Sequence, residues 1–322
     1  MKALVLEEKN VAPRLMEVAT PTAVSECQVV INLKAASLNH RDIWIMKGQY
    51  PGVKFPLILG SDGVGQLDGE EVVIQPGIDW GNNERCQGKD YQILGLPQNG
   101  TFAERVAVKH QQVFSKPGHL SMEEAAALPL AGLTAYRALF TRCKALRGEK
   151  LLVTGAGGGV ALFCIQFALK VGLEVYVTSG SDDKIARAKK LGIAGAANYK
   201  LENWPDSLKK QAGGFDIVVD GAGGADFSQL IKLCNPGGRI GTYGGTNGTA
   251  PNFSMQPIFW KQLSILGSTM GSDNDFAKML DFVNEHKIVP IVDSIFRLEE
   301  GEKAFDRMVT GQQFGKIVLK IP

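Results

Sequence analysis

The sequence predicts an α/β protein of two domains: a barrel-type domain built mostly from strands, and a parallel sheet covered by helices on both faces. Three observations predict it. The chain has 322 residues, enough for about two domains at roughly 100–200 residues each. Its first third is written in short Val-, Ile- and Leu-rich runs cut by Gly, Pro and Asp, the pattern of a small β-barrel. From about residue 121, strand and helix then alternate over roughly 130 residues, the rhythm of parallel strands joined by helical crossovers.

Taken in order, residues 3–6, 28–33, 71–74 and 102–108 read as strands, and the polar, glycine-dotted stretch 79–97 reads as a loop. Ser121 before Met122-Glu123-Glu124 is an N-cap followed by acids in the first turn, where the helix dipole favours them. Helical stretches run from there to about Lys144. Residues 151–154 form a buried-type strand. Residues 160–171 form a helix apolar on most faces, which stops at Gly172. Residues 173–178 are again a strand, and 182–191 an amphipathic helix ending at Gly192. Residues 215–220, 239–243 and 263–267 are further strands, and the tail from about Val289 ends in a strand over 316–321.

The formal net charge of +2 excludes the strongly basic balance of a nucleic-acid or anionic-membrane binder. No run reaches the ~18 uninterrupted apolar residues of a membrane span. Cys27, Cys86, Cys143, Cys164 and Cys234 are scattered and odd in number, which argues against a disulfide framework and suits a reducing compartment. The first ten residues carry charges and lack a signal-peptide apolar core. The expected location is the cytoplasm.

The chemistry begins at Thr154-Gly155-Ala156-Gly157-Gly158-Gly159-Val160-Ala161, between a strand and a helix. Small residues there let the backbone approach a pyrophosphate, while the helix N-terminus offers N–H groups and a positive dipole end. Two registers of the glycine fingerprint are possible. One starts at Gly155 and leaves Val160 in the last small position; the other starts at Ala156, with Gly158 and Ala161, and fits better. An acid about 20 residues on would hold the ribose of NAD. Thr178, Ser179 and Gly180 stand there instead, followed by Ser181, Lys184 and Arg187. These can bind a 2′-phosphate, so the expected cofactor is NADPH. Arg187 reads as a solvated helix face, and Asp182 and Asp183 as caps of the next helix.

Six segments then occur in order: Asn39-His40-Arg41-Asp42, Gly60-Ser61-Asp62-Gly63-Val64-Gly65, the Ala126-to-Tyr136 run, the glycine loop, Asn235-Pro236-Gly237-Gly238-Arg239 and Gly315-Lys316-Ile317-Val318-Leu319. Together they resemble the medium-chain dehydrogenase/reductase superfamily over essentially the whole chain. The resemblance implies a GroES-like catalytic domain split between residues 1–120 and 287–322. It implies a doubly wound Rossmann domain over 121–286, an active site in the cleft between them, and a homodimer. It places His40 near the cofactor pyrophosphate and implies further cofactor contacts at Thr134, Gly221, Tyr243, Gly267 and Lys316, with Ala156, Gly157, Gly158, Gly159 and Val160 in the loop. Asn198-Tyr199-Lys200 is similar to a family segment whose Tyr and following base approach the 2′-phosphate. Phe259 and the 267–271 loop line the cleft in relatives.

The zinc enzymes of this superfamily carry Cys where this chain has Asn39, a His-Glu pair at Ser61-Asp62, and a third ligand, also Cys, near Leu130. Asn, Ser and a lone Asp do not make a catalytic zinc site. Cys86 alone does not make the structural zinc lobe either, so no metal is expected. The pattern resembles the zinc-free quinone oxidoreductases. The candidate catalytic segment is Asn39, Arg41 and Trp44: an amide donor, a cation that either faces substrate or pairs with an acid, and an apolar wall where some relatives have Tyr. Without a Lewis acid, a conjugated carbonyl or quinone is an easier hydride acceptor than a simple ketone, because charge spreads through its π-system. The expected function is NADPH-dependent reduction of such a small molecule. A zinc-type alcohol dehydrogenase and a crystallin-like NADPH-binding protein without turnover are the alternatives.

Overall fold

A computed structural model of the chain describes residues 1–251 and 253–322. Its strands, in chain order, are β1 Lys2–Leu6, β2 Arg14–Glu17, β3 Gln28–Ser37, β4 Leu57–Ile58, β5 Asp62–Leu67, β6 Glu70–Ile74, β7 Gly77–Ile78, β8 Gln92–Ile93, β9 Arg105–Lys109, β10 Val113–Ser115, β11 Lys150–Val153, β12 Glu174–Ser179, β13 Gly195–Asn198, β14 Phe215–Asp220, β15 Cys234–Thr242, β16 Ser264–Gly267, β17 Val292–Arg297 and β18 Lys316–Lys320. The helices are α1 His40–Met46, α2 Met122–Ala126, α3 Pro129–Tyr136, α4 Gly159–Lys170, α5 Asp182–Lys189, α6 Trp204–Ala212, α7 Phe227–Leu233, α8 Gln256–Trp260, α9 Asp273–His286 and α10 Gly301–Val309.

The chain divides into two compact units, Met1–Ala131 with Ser272–Pro322, and Gly132–Gly271. The sequence placed these divisions at residues 120 and 286. The difference lies in two helices. α2 packs on β3, β5 and β18 of the first unit. α9 buries Phe276 edge-on against Phe114 of β10, with ring centroids 4.9 Å apart. Apolar burial of this kind, worth about 2–3 kcal/mol for one Phe, ties both helices to the strands rather than to the parallel sheet.

In the first unit one sheet runs β10-β6-β5-β3-β18-β17, with β9 also on β3; a second runs β2-β1-β4. The C-terminal strand β18 lies antiparallel to β3, with Val318 opposite Ser37, which is why the two ends of the chain make one unit. Alternation turns Ile31 and Leu33 of β3 and Ile317 and Leu319 of β18 into a core that also holds Leu4, Ile74, Phe102 and Phe305. β5 went unread in the sequence because its Asp-Gly-Val-Gly run has low strand propensity; pairing on both sides, to β3 and β6, holds it.

The second unit is a six-stranded sheet of parallel strands ordered β13-β12-β11-β14-β15-β16. The chain enters at the centre, winds outward to β13, then restarts beside β11 at β14. The order reverses between β11 and β14, where such sheets open a crevice for ligands. Both faces are covered, so the strands are apolar throughout, as in Leu151-Leu152-Val153 and Ile217-Val218-Val219. The helical stretch after residue 129 is α3 followed by a π-helical turn, Arg137–Arg142. Ser121 caps α2 as expected, accepting from the Glu124 N–H at 3.2 Å.

Candidate functional site

In the first unit, three chain segments bring polar side chains into a buried knot. β3 ends at Ser37, α1 starts behind its N-cap Asn39, β5 begins at Asp62 opposite Ser37, and β18 begins at Lys316. Asp62 is fully buried. Its Oδ2 accepts hydrogen bonds from Ser37 Oγ at 2.9 Å, Asn39 Nδ2 at 2.9 Å and Lys316 Nζ at 3.0 Å. Its Oδ1 accepts from the Leu130 N–H at 2.8 Å. Lys316 Nζ gives its other two hydrogens to the Leu38 carbonyl at 2.8 Å and to Asn39 Oδ1 at 2.6 Å. The Asn39 amide is thereby oriented by chemistry: oxygen to the ammonium, nitrogen to the carboxylate. One Asn39 N–H remains after the bond to Asp62. The resemblance implies a cofactor contact for Lys316. The structure turns it inward and uses all three of its N–H bonds, because a buried carboxylate without a partner would be far costlier.

α1 carries the rest of the segment. Arg41 is buried; its Nη1 donates to Ser61 Oγ at 2.8 Å and to the Leu94 carbonyl at 2.9 Å. Its guanidinium lies 5.6 Å from the Tyr50 ring centroid. These contacts, to a hydroxyl and a carbonyl rather than to an acid, make Arg41 a brace between α1, Ser61 and the loop before Gly95. Trp44 is half-buried, its ring 6.4 Å from that of exposed His40 and 6.5 Å from that of Tyr50, nearly parallel to the latter. Asp42 accepts the Asn39 N–H on Oδ2 at 2.8 Å, while its Oδ1 has no hydrogen-bond partner. Burial pushes the Asp42 carboxyl up to about 6, against the opposing pull of Arg41.

In the second unit the glycine loop sits at the sheet's switch point. Gly157 has φ +124°, a region that essentially only glycine occupies. A Cβ there would lie 2.8 Å from Lys184 Cδ and 3.5 Å from its Nζ, so the Lys184 side chain lies against the loop. Gly158 caps α4 without any side-chain bond, and Val160 lies in the first turn. The N-cap thus supplies no side-chain acceptor to the opening N–H groups of α4, an arrangement suited to a phosphate. The Ala156 N–H donates to the Thr178 carbonyl at 2.8 Å, pinning the loop to the end of β12.

Two serines behave differently from the expectation. Ser179 is buried and its hydroxyl donates to the Ala156 carbonyl at 3.2 Å, so it braces the loop. Ser181, not Asp182 or Asp183, caps α5, accepting from the Lys184 N–H at 3.4 Å; Asp182 accepts from Asn198 Nδ2 at 2.9 Å. Tyr199 stands at the same strand end. Its N–H donates to the Ser179 carbonyl, and a Cβ on Gly180 would meet its hydroxyl at 2.6 Å. Lys200 is exposed beside it. At the β14 end, Asp220 accepts from Thr154 Oγ1 at 2.6 Å and from the Gly223 N–H at 2.9 Å. The Tyr243 ring covers Gly221, leaving no room for a Cβ there. Thr134 Oγ1 donates to Met270 Sδ at 3.9 Å, the Gly267 carbonyl accepts from Arg142 Nε at 2.8 Å, and Phe259 is exposed on α8.

The sequence reading missed Ser37, the Leu130 N–H, Tyr50 and Asp220. Only Asp220 had a signal, an acid closing an apolar strand. The others become visible through pairing alone.

A glycine loop at the switch point of a parallel sheet, joined to a barrel-type unit with a buried polar knot, defines a nucleotide-dependent oxidoreductase of two units. Comparison agrees. Residues 25–118 match the alcohol dehydrogenase GroES-like domain family, and residues 159–285 the zinc-binding dehydrogenase family. A zinc-type alcohol dehydrogenase-like protein of Leptosphaeria maculans is 34% identical over 96% of this chain and 95% of its own. The solved structure of an NAD-dependent alcohol dehydrogenase matches with TM-score 0.94 at 37% identity, covering 100% of both chains. That of the quinone oxidoreductase from Thermus thermophilus, solved also with NADPH, matches with TM-score 0.84 at 29% identity over 99% of this chain and 100% of that one. The chain belongs to the medium-chain dehydrogenase/reductase superfamily.

Proposed function

We propose that this protein is a zinc-independent, NADPH-dependent reductase of quinones or conjugated carbonyl compounds. The observation that carries the reading is the donor set around Asp62. Zinc takes thiolate, imidazole or free carboxylate ligands. Here the corresponding atoms are an amide, a hydroxyl held between Arg41 and the Leu94 carbonyl, and a carboxylate whose two oxygens already accept four hydrogen bonds. Among the described residues no group of three His, Cys, Asp or Glu is placed to hold a metal ion. These residues do not fit zinc, despite the name of the matching family.

The second unit fits a dinucleotide. The Gly157 cradle and the uncapped start of α4 receive the pyrophosphate, and Lys184 and Tyr199 flank the site of a 2′-phosphate. Lys184 supplies charge and Tyr199 a ring face and hydroxyl. NADPH, when bound, supplies the hydride. Asn39 donates its remaining N–H to the substrate oxygen, where charge accumulates during reduction, while Trp44 and Tyr50 offer an apolar wall. Conjugation lets one amide donor suffice where a simple ketone would need a Lewis acid. His40, exposed at the start of α1, stays a candidate for the cofactor phosphates.

The same proposal includes a homodimer. β16 is an edge strand of the parallel sheet. Ile265 on it, and Met255, Phe259 and Trp260 around α8, are exposed apolar side chains, more than an isolated edge normally carries.

The test compares turnover of a quinone and an enone with NADPH against oxidation of ethanol and benzyl alcohol with NADP, with and without chelator, alongside elemental analysis. Quinone or enone turnover without bound zinc is the expected result. Alcohol oxidation that depends on stoichiometric zinc would overturn the reading in favour of an alcohol dehydrogenase.

A further inference from the structure

The buried ammonium of Lys316 is the unusual feature of the knot. Lys316 is 4% exposed, and a lysine so buried is tolerated only when paired and fully hydrogen-bonded. Its three acceptors are a carboxylate, an amide oxygen and a backbone carbonyl, at 3.0, 2.6 and 2.8 Å. That is an all-oxygen shell of the kind that surrounds a hard cation. One of its contributors, Asn39, stands where the resemblance places a Cys ligand of the zinc enzymes, and another, Asp62, matches the Glu of their His-Glu pair. We propose that Lys316 is the resident cation of this site. Its ammonium fills the point where Asn39, Asp62 and the Leu38 carbonyl converge, excludes a metal ion from it, and locks the Asn39 amide in the orientation that leaves one N–H for the substrate.

Lys316 is therefore a positioning residue: it touches no substrate and acts through Asn39. Without the ammonium, the amide oxygen loses its partner and the side chain is free to turn. The carboxylate of Asp62 also loses its compensating charge. Arginine is no substitute, because a planar fork of five donors cannot place three hydrogens on a pyramidal set of acceptors. The orienting role rests on the reductase reading above, whereas the identity of the buried cation does not.

The experiment uses the intact protein and three variants: Lys316→Met, Lys316→Arg and the double Lys316→Met/Asp62→Asn. The single Met variant leaves a buried carboxylate uncompensated and is at risk of misfolding. The double variant removes both charges at similar shape and keeps the question answerable. In protein labelled with 15N-lysine, a slowly exchanging ammonium resonance is expected in the wild type and missing from Lys316→Met. Its persistence during titration with ZnCl2 and MgCl2 is expected as well. In turnover, the double variant should fold and lose kcat about tenfold or more, the loss expected when one charge-assisted contact no longer orients a donor. Its KM for NADPH should stay within about twofold. A double variant, or the Arg variant, with wild-type kcat would overturn the orienting role. A missing ammonium resonance, or its displacement by either metal ion, would overturn the resident cation. If the wild type reduces neither quinone nor enone, the reductase reading fails and takes the orienting role with it, while the resonance and metal titration still decide the cation.

Discussion

Asp42→Asn tests whether the buried polar segment stores an ionisation penalty. Asp42 lies in the first turn of α1 and is fully buried, with one carboxylate oxygen lacking a partner. Burial raises its pKa from 3.8 to about 6, which corresponds to about 3 kcal/mol of lost stability once the group is ionised. The sign follows from linkage. The folded state holds this proton more tightly than the unfolded chain, so stability falls as pH rises from about 4 to about 6 and is level above. Asparagine keeps the shape and can still accept the Asn39 N–H, but it never ionises. Burying its amide N–H groups without a new acceptor costs about 1–2 kcal/mol. The variant should therefore be less stable than wild type near pH 4 and more stable at pH 7.5, the difference between the two proteins swinging by about 3 kcal/mol. Urea unfolding followed by intrinsic fluorescence at a series of pH values measures it. Parallel stability profiles for the two proteins from pH 4 to 7.5 would refute the reasoning.

Lys184→Ala should raise the Kd for NADPH about tenfold or more, the worth of one charge-assisted contact, and leave that for NADH within about twofold; fluorescence titration checks it, and equal losses for both cofactors would contradict a 2′-phosphate role. Asn39→Ala should lower kcat about a hundredfold with little change in KM, because its bond strengthens as charge develops; steady-state kinetics would show a KM effect instead if Asn39 merely binds substrate. Under native conditions Cys27 and Cys86, both exposed, should react rapidly with a disulfide reagent. Cys143, Cys164 and Cys234 should wait for unfolding, since burial pushes their thiols up, to about 12 for Cys143 and Cys234. Ile265→Lys on the β16 edge should give a monomer by light scattering if that edge pairs with a second copy.

Much of the fold was legible because its signals are local. The apolar run in 28–33, those of β11 and β14, and the helix stop at Gly172 each depend on neighbours a few residues away. The glycine loop was legible for the same reason, since a strand, a turn and a helix start are contiguous. That Asn39 and Ser61 stand where the resemblance implies Cys and His needed only residue identity. β5 was not legible, because its glycines hide a strand whose order comes from partners on both sides.

What each site residue does was decided by tertiary structure. Lys316 and Asn39 are 277 positions apart, and nothing in either segment says that an ammonium will find that amide. The chain had to bring β18 against β3 before Lys316 could meet Asp62. Arg41, for which the sequence left substrate contact and an ion pair open, instead packs against Ser61, Leu94 and Tyr50. Ser179 looked like a phosphate ligand because it follows the second strand, yet the loop's curvature turned its hydroxyl onto Ala156. By itself the sequence determined which groups this protein possesses and where its most apolar strands, several helices and the glycine loop lie. The tertiary structure decided which of those groups use up one another's hydrogen bonds and which are left to meet a ligand, because partners in a buried network are set by strand pairing across the chain and not by spacing along it.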